Sequence, residues 1–265
     1  MNKLTAYIEG ISIIGPGLTD WAATEAVLAG RTPYSPCPTA LPALMALPTA
    51  ERRRAGRVVR LAMAAGLEAT ARAGLEAAGL LTVFSSSSAD GDNCHEICQT
   101  LATTTRQLSP TRFHNSVHNA PAGYWSIATG AMVASTALCA YDASFAAGLL
   151  ETLTQVVVAA RPVLLIAYDT GYPPPLHEKR PIPDAFGVAI VLAPTKSEHS
   201  LAQLSAALVD GAGDRLDDAR IEALRLGTPA ARSVPLLALL ARRQAGTVAI
   251  EYLGATSLRT RLEPC

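Results

Sequence analysis

The sequence predicts a layered α/β fold, in which helices cover both faces of a largely parallel central sheet. Strand and helix patterns alternate from residue 5 to residue 193, the order that such folds produce. One strand candidate, "PVLLIAYD", is apolar almost throughout, as expected for a strand buried on both faces. The chain has 265 residues, of which 49% are hydrophobic and 17% charged. This balance predicts a folded protein with a sizeable core in one large domain.

The first 80 residues predict a strand and two helices. "TAYIEGISIIGPG" alternates and ends in Gly and Pro, so it predicts a strand and a turn. "TDWAATEAVLAG" predicts a short helix with Thr19 as its N-cap and Gly30 as its C-cap. The prolines between 33 and 48 predict a loop, and the apolar spacing of residues 51–80 predicts one long helix.

The middle and the tail continue the alternation. "LTVFSSSS" predicts a strand that runs into a serine-rich turn, and residues 93–107 predict a helix. After the Ser109-Pro110 break, "TRFHNSVHNAPAGYWSIATG" predicts a helix in its second half. "AMVASTAL" predicts a strand, residues 139–160 a buried helix and "AFGVAIVLAP" a further strand. The tail predicts helices near 215–225 and 234–243 and the strands "TVAIEYL" and "SLRTRLEP".

Charge and hydropathy argue against several classes of protein. The 22 basic and 22 acidic side chains balance, whereas a nucleic-acid-binding protein usually carries a basic excess. No apolar run is long enough to span a bilayer, and Glu9 interrupts the early apolar run that a signal peptide would need. We therefore expect a cytoplasmic protein with no nucleic-acid partner and no membrane span.

Cys139 has two interpretations. Five scattered cysteines predict free thiols in a reducing compartment. Cys139 lies between a predicted strand and a predicted helix, and a helix N-terminus stabilises a thiolate. A nucleophile also needs a base and donors for an oxyanion, whereas free cysteines are commonly buried. A buried structural thiol is the favoured interpretation, and a nucleophile is the alternative.

Two short motifs argue against a metal site. "CHEIC", residues 94–98, holds three soft ligands, but no second cluster completes a four-ligand zinc site. His114 and His118 are four residues apart, but Asn115 occupies the position at which zinc proteases carry a Glu. We expect this His pair to be hydrogen-bonded, in a structural or interface role.

One positive cluster is present near the start of the long predicted helix, made of Arg52, Arg53, Arg54, Arg57 and Arg60. A solvated helix face is the favoured interpretation, and a docking site for an acidic partner is the alternative. "SSSSADGD" lacks the pattern of a phosphate-binding loop, so a nucleotide cofactor has little support.

Three segments resemble the N-terminal half of β-ketoacyl-ACP synthases. They are "SPTRFHNSVHNAPAGYWSIATG", "STALCAYDASFAAGLLE" and "AFGVAIVLAP", at 109–130, 135–151 and 185–194. The likeness extends in order over residues 1–195 and is greatest to the short chain-length-factor-like proteins of aryl polyene pathways. It implies a thiolase-like layered fold with a mostly parallel or mixed sheet, reduced to about one half plus a short tail. The implied organisation is a ketosynthase-like core at 1–195 and an extension at 196–265 that packs on the same domain.

The resemblance implies that the nucleophile is lost. Ketosynthases of this type carry Ser/Ala-Thr-Ala-Cys before the buried helix, and here Ser135, Thr136 and Ala137 are followed by Leu138. Cys139 is one residue further on, a step that rotates a side chain by about 100° on a helix. The family's two C-terminal catalytic histidines have no counterpart in context, since only two histidines follow residue 140.

The resemblance therefore implies a non-catalytic subunit, with no cofactor of its own, that pairs with an active ketosynthase subunit in a heterodimer. An acyl carrier protein is a further implied partner. In the family the strand before the nucleophile pairs across the dimer and the preceding helix lines the acyl tunnel. The corresponding tunnel and interface residues are Val117, His118, Asn119, Ala120, Pro121, Tyr124, Trp125, Ser135 and Thr136. An ordinary core position is the alternative for the aromatic residues, Trp125 above all.

Two other functions stay open. The first is a reduced acyltransferase or thioesterase of the same fold that uses Cys139. The second is a homodimeric protein that binds acyl chains. The role of the tail after residue 195 is not predicted.

Overall fold

The computed structural model describes residues 4–265, which form one eight-stranded sheet with helices packed on it. The strands, in chain order, are β1 (Leu4–Ile14), β2 (Leu81–Ser85), β3 (Ser135–Leu138), β4 (Val163–Asp169), β5 (Phe186–Ala193), β6 (Ala202–Asp210), β7 (Gly246–Glu251) and β8 (Thr256–Pro264). Their spatial order is β3-β2-β4-β5-β1-β6-β8-β7. The pairs β2–β3 and β2–β4 are parallel and the other five are antiparallel, so the sheet is mixed, as the family resemblance allowed, and the largely parallel sheet expected from the strand–helix alternation is wrong.

Ten helices accompany the strands in the described part of the chain. They are α1 (Trp21–Leu28), α2 (Thr49–Arg54), α3 (Arg57–Arg72), α4 (Gly91–Leu101), α5 (Pro110–His114), α6 (Ala120–Thr129), α7 (Ser144–Ala159), α8 (Leu176–Lys179), α9 (Ala219–Gly227) and α10 (Val234–Ala241). Short 3₁₀ turns at Ala77–Gly79, Tyr141–Ala143 and Pro229–Ser233 complete the list.

The sheet is covered on both faces at β4 and β5, as predicted. All residues of these two strands are buried, which accounts for their nearly continuous apolar sequences. Helices α3 and α6 pack on one face, and α7, α1 and α10 pack on the other. Two close approaches depend on glycine: a Cβ on Gly10 would lie 2.2 Å from the Ala69 carbonyl oxygen, and one on Gly148 would lie 2.7 Å from the Ser85 Cβ. The layered α/β prediction is confirmed.

The tail extends the same sheet. Strand β6 pairs with β1, β8 with β6, and β7 with β8. Buried residues such as Ala202 and Leu204 alternate along β6 with more exposed ones such as Gln203, because only one face of this part of the sheet is covered. The sequence analysis predicted β7 and β8 but missed β6.

Several element boundaries differ from the predictions. The long helix expected at 51–80 is interrupted at Ala55 and Gly56, where Gly56 has an extended backbone. The Asp90 carboxylate lies 2.6 Å from the place of a Gly56 Cβ, so a side chain at position 56 would have to displace it. Asp20 rather than Thr19 caps α1, because its carboxylate accepts the Ala23 amide. The helix expected at 93–107 corresponds to α4, which begins and ends earlier, at Gly91 and Leu101.

Within residues 4–265, no helix is long and apolar enough to cross a membrane.

Candidate functional site

Strand β3 forms one end of the sheet. It pairs in parallel with β2, and within the described residues no strand pairs with its outer edge. Ser135 and Ala137 are exposed, and Thr136 and Leu138 are half-buried. An edge strand presents unpaired amide and carbonyl groups, which are a template for pairing with another chain.

Helix α6 and β3 together form a shallow concave region beside this edge. A cavity of about 560 Å³ lies there, lined by His118, Asn119, Ala122, Gly123, Ser126, Ser135 and Ala137. All seven side chains are small or polar, and nothing lies within 4 Å of the place of a Gly123 Cβ. Another backbone can therefore approach this region closely.

Large apolar side chains are exposed around the cavity. Val117 is half exposed, and Ile127 lies one turn after Gly123 on the outer face of α6. Met132, in the connection from α6 to β3, is 95% exposed. We call the set Val117, Asn119, Gly123, Ile127, Met132, Ser135 and Ala137 the β3 surface. Exposed apolar residues grouped in this way are typical of a protein–protein contact.

Four of the predicted surface residues are buried instead. Ala120, Pro121, Tyr124 and Trp125 lie on the inner face of α6. The Tyr124 hydroxyl donates to the Asn115 Oδ1 at 3.0 Å. The Trp125 ring packs edge-on against Phe84, with 6.4 Å between centroids. The α6 helix places these residues in the core, so they do not form an exposed surface. For Trp125 this agrees with the alternative interpretation, an ordinary core position. Their role in lining a tunnel stays a prediction.

The predicted histidine pair does not share a helix. His114 is the last residue of α5, and its ring packs edge-on to Tyr124. His118 follows in the connection to α6, and its Nε2 lies 3.3 Å from the Ser86 carbonyl oxygen. The two imidazoles are therefore separated by the chain turn that ends α5.

The serine-rich turn after β2 binds a buried carboxylate. Asp169, the last residue of β4, is 1% exposed. Its Oδ1 accepts the Ser87 amide at 2.8 Å and the Ser87 hydroxyl at 2.6 Å, and its Oδ2 accepts the Ala230 amide at 2.8 Å. Burial raises the pKa of Asp169 to about 6, although these donors and the Arg180 guanidinium oppose the rise. Asp169 was not among the predicted site residues; its position at the carboxyl end of an apolar strand was the available signal.

Cys139 is exposed, so the favoured interpretation as a buried thiol is wrong. Its Sγ donates to the Ser87 carbonyl oxygen at 3.3 Å. The expected helix N-terminus is also absent at this position, because α7 begins at Ser144. Cys139 therefore lies five residues before the start of α7, with the 3₁₀ turn Tyr141–Ala143 between them.

The residues directly before α7 form an ion pair. Tyr141 has a left-handed backbone, with φ of 54°. The Asp142 Oδ1 accepts the Arg180 Nη2 at 2.7 Å, and the Arg180 guanidinium lies 3.7 Å from the centre of the Tyr141 ring. A left-handed non-glycine residue costs free energy and marks a turn held by its surroundings. This arrangement was not predicted.

The remaining predicted clusters lie apart from this site. Cys94 and Cys98 are both exposed on α4, and within residues 4–265 no three metal-ligating side chains come together. In the arginine cluster, Arg54 pairs with Glu51 and Arg57 with Asp184. Among the described residues, neither Arg53 nor Arg60 forms an ion pair, and both are exposed.

A scan of protein families identifies residues 21–246 as a match to the model "Beta-ketoacyl synthase, N-terminal domain". This match extends over more than half of the chain. A comparison with curated proteins finds no match.

Solved structures with the same fold include complexes of two ketosynthase-like subunits. One chain of the complex of the ketosynthase ApeO with its chain length factor ApeC, from Xenorhabdus doucetiae, aligns with a TM-score of 0.74 and 23% identity. That alignment covers 97% of this chain and 99% of the other. A chain of the type II polyketide synthase complex AntDE:AntF aligns with a TM-score of 0.76 and 11% identity, with both chains covered fully.

A β-ketoacyl synthase from Burkholderia phymatum gives a further comparison. It aligns with a TM-score of 0.57 and 14% identity, over 92% of this chain but 71% of the synthase. The likenesses confirm the predicted thiolase-like fold, and the present chain is shorter than this synthase.

Proposed function

The chain belongs to the family of β-ketoacyl synthase N-terminal domains, and we propose that it is a non-catalytic, chain-length-factor-like subunit of a heterodimer. Its partner in this proposal is an active β-ketoacyl-ACP synthase that elongates an acyl or polyene chain, as in aryl polyene biosynthesis. The similar chain from Xenorhabdus doucetiae comes from a complex of a ketosynthase with its chain length factor, which supports the assignment.

The β3 surface is the observation that carries the proposal. It combines an unpaired edge strand, a cavity lined by small side chains and the exposed Met132 at the same end of the sheet. A partner's edge strand can add to β3, while its apolar side chains fill the cavity beside Gly123. The acyl tunnel of the complex would then end at this contact.

Three features support the absence of catalysis by this subunit. Leu138 occupies the position that the sequence resemblance assigns to the nucleophile. Among the described residues, the Cys139 Sγ donates to the Ser87 carbonyl oxygen and has no hydrogen bond with a histidine that could act as its base. In the 3₁₀ turn before α7, Asp142 is held in an ion pair with Arg180, and the Tyr141 ring covers the same guanidinium.

The arginine cluster is the site that we assign to an acyl carrier protein. Arg53 and Arg60 are exposed, and Arg53 lines a cavity of about 570 Å³ together with Arg54, Arg57 and Arg112, which outnumber the two carboxylates there, Asp90 and Asp92. Exposed positive charge of this kind attracts an acidic partner. The carrier would bring its own phosphopantetheine arm, so this chain needs no cofactor.

Residues 1–195 and 196–265 are proposed to act as one unit, in which the tail closes the β1 edge of the ketosynthase-like core. We place the protein in the cytoplasm, which its five unbridged cysteines support.

Co-expression with tagged ketosynthase subunits of the same organism tests the proposal. We expect a 1:1 complex that elongates acyl chains, and we expect Met132→Asp to weaken it at least about 100-fold, because a carboxylate would be buried in an apolar contact. Met45→Asp is the matched control, since Met45 is 75% exposed in the proline-rich loop. Cys139→Ala should leave elongation by the complex unchanged. Loss of turnover in an intact Cys139→Ala complex would contradict the non-catalytic role.

A second candidate is an acyltransferase or thioesterase that uses Cys139. The observation in its favour is that Cys139 and His118 contact adjacent carbonyl groups, those of Ser87 and Ser86. An acyl adduct on Cys139, located by peptide mass spectrometry after incubation with an acyl thioester, would support this enzyme over the subunit.

A third candidate is a homodimeric acyl-binding protein, which the self-complementary edge of β3 favours. Sizing of the purified chain, alone and with a synthase, distinguishes it from the first. A stable homodimer that a synthase does not exchange into a heterodimer would favour it.

A further inference from the structure

Asp169 joins two segments that are far apart in the sequence. Its Oδ1 accepts two hydrogen bonds from Ser87, 82 residues away, and its Oδ2 accepts one from Ala230, 61 residues away. Ser87 belongs to the turn after β2, and Ala230 belongs to the 3₁₀ turn Pro229–Ser233 of the tail. The carboxylate is therefore the direct link between the tail and this turn.

The same turn contacts the β3 end of the sheet. The Ser86 amide donates to the Leu138 carbonyl oxygen at 3.2 Å. The Ser86 carbonyl oxygen contacts the His118 Nε2, and the Ser87 carbonyl oxygen accepts the Cys139 Sγ. Ser86 and Ser87 thus position both His118, which precedes Asn119, and the end of β3.

We propose that Asp169 is a positioning residue that couples the tail turn at 229–233 to the geometry of the β3 surface. The coupling rests on the proposed function in one respect, namely that the β3 surface is where the partner binds. It assigns to the tail a role beyond closing the β1 edge: the tail turn keeps the serine turn, and through it the partner-binding end of the sheet, in one conformation.

The carboxylate is suited to this task because three short hydrogen bonds converge on it, with the Ser86 hydroxyl at a longer 3.4 Å from its Oδ1. The two amides and the Ser87 hydroxyl all donate, and an ionised carboxylate is acceptor-only on both oxygens. In Asp169→Asn the side chain keeps its shape, but its NH₂ group must face one of the amides. A buried donor then loses its acceptor, and the link on that side is broken.

Amide hydrogen exchange and peptide-resolved alkylation of the isolated chain test the coupling. In Asp169→Asn we expect the Ser86, Ser87 and Ala230 amides to exchange about tenfold faster. The thiol of Cys139 should be alkylated at least about threefold faster, because its carbonyl acceptor becomes mobile. Cys37, in the proline-rich loop, is the internal reference and should react at the wild-type rate.

Ser12→Ala is the control for general loss of stability. Ser12 is fully buried on β1 and donates to the Glu68 carboxylate at 2.7 Å. We expect this variant to lower the melting temperature without changing the alkylation of Cys139 or exchange at the serine turn. Equal effects of Ser12→Ala and Asp169→Asn on both readouts, or wild-type readouts in Asp169→Asn, would overturn the coupling.

Binding to a co-expressed ketosynthase separates this proposal from the proposed function. We expect Asp169→Asn to weaken a wild-type complex at least about tenfold. Changed exchange and alkylation in a chain that pairs with no synthase would support the coupling and count against the heterodimer. An Asp169→Asn chain with the changed local readouts but wild-type affinity would overturn the link between the turn and partner binding.

Discussion

Neutralising Asp169 should change how the stability of the protein depends on pH. Burial raises the pKa of this carboxyl from 3.8 to about 6 in the folded chain. Between these values the folded protein keeps a proton that the unfolded chain has released, so the free energy of unfolding falls as the pH rises through this range. Over the whole titration, this rise in pKa corresponds to a change of about 3 kcal/mol in the free energy of unfolding. Asp169→Asn lacks this titration, so the stability of the wild type relative to the variant should fall by about 2 kcal/mol from pH 4 to pH 7.

Urea denaturation of both proteins at a series of pH values measures this difference. The pH dependence that the other carboxyl groups contribute is common to both proteins and cancels in the difference. Arg180 is the charged group that acts on Asp169 from outside β4. Asp184→Asn is a control of opposite sign. Burial alone would raise the pKa of Asp184, but the Thr39 and Ala185 amides and the Arg57 guanidinium lower it overall. The wild type should therefore lose stability relative to Asp184→Asn as the pH falls. A constant difference between wild type and Asp169→Asn from pH 4 to pH 7 would refute the reasoning.

Two further predictions concern packing and a buried cation. Gly148→Ala should destabilise the protein by about 1–3 kcal/mol in thermal or urea denaturation, because its Cβ would overlap β2, whereas Gly79→Ala has open space and should be neutral or slightly stabilising. Glu251→Ala should cost about 1–3 kcal/mol, because the buried Arg225 guanidinium loses two hydrogen bonds to Glu251, at 2.7 and 2.9 Å, but keeps its pair with Glu222. Equal stabilities of the two glycine variants, or a Glu251→Ala cost below about 1 kcal/mol, would contradict these assignments.

The strands of the core were predictable because burial on both faces leaves a strong sequence signal. β4 and β5 are apolar almost throughout, only seven and eight residues long and rich in Val and Ile, which favours strands over helices. β6 was missed because three of the nine residues in "AQLSAALVD" are alanines, which favour strands weakly. Its conformation depends on pairing with β1 and β8, and such long-range contacts are not visible in a local pattern.

The site was predicted less completely than the fold. The resemblance brought α6 and β3 to one region, but composition does not show which side of α6 faces the core. Tyr124 and Trp125 proved to be buried, and Gly123 and Met132 were not considered. The predicted environment of Cys139 was wrong because the chain makes a left-handed turn at Tyr141 before the helix begins. A backbone conformation of this kind, at a residue other than glycine, has no sequence signature.

The two ends of the sheet differ in a way that limits how many copies can join. At the β7 end, the Ala249 amide donates to the Asp214 carboxylate and the Ala249 carbonyl oxygen accepts the Asp214 amide, so a neighbouring segment occupies that edge. At the β3 end the edge is open but only four residues long. Sheet growth from one open end stops once two chains have paired, whereas two open ends would permit fibres. If the chain assembles by pairing through β3, as proposed, this difference between the two ends limits the assembly to two chains.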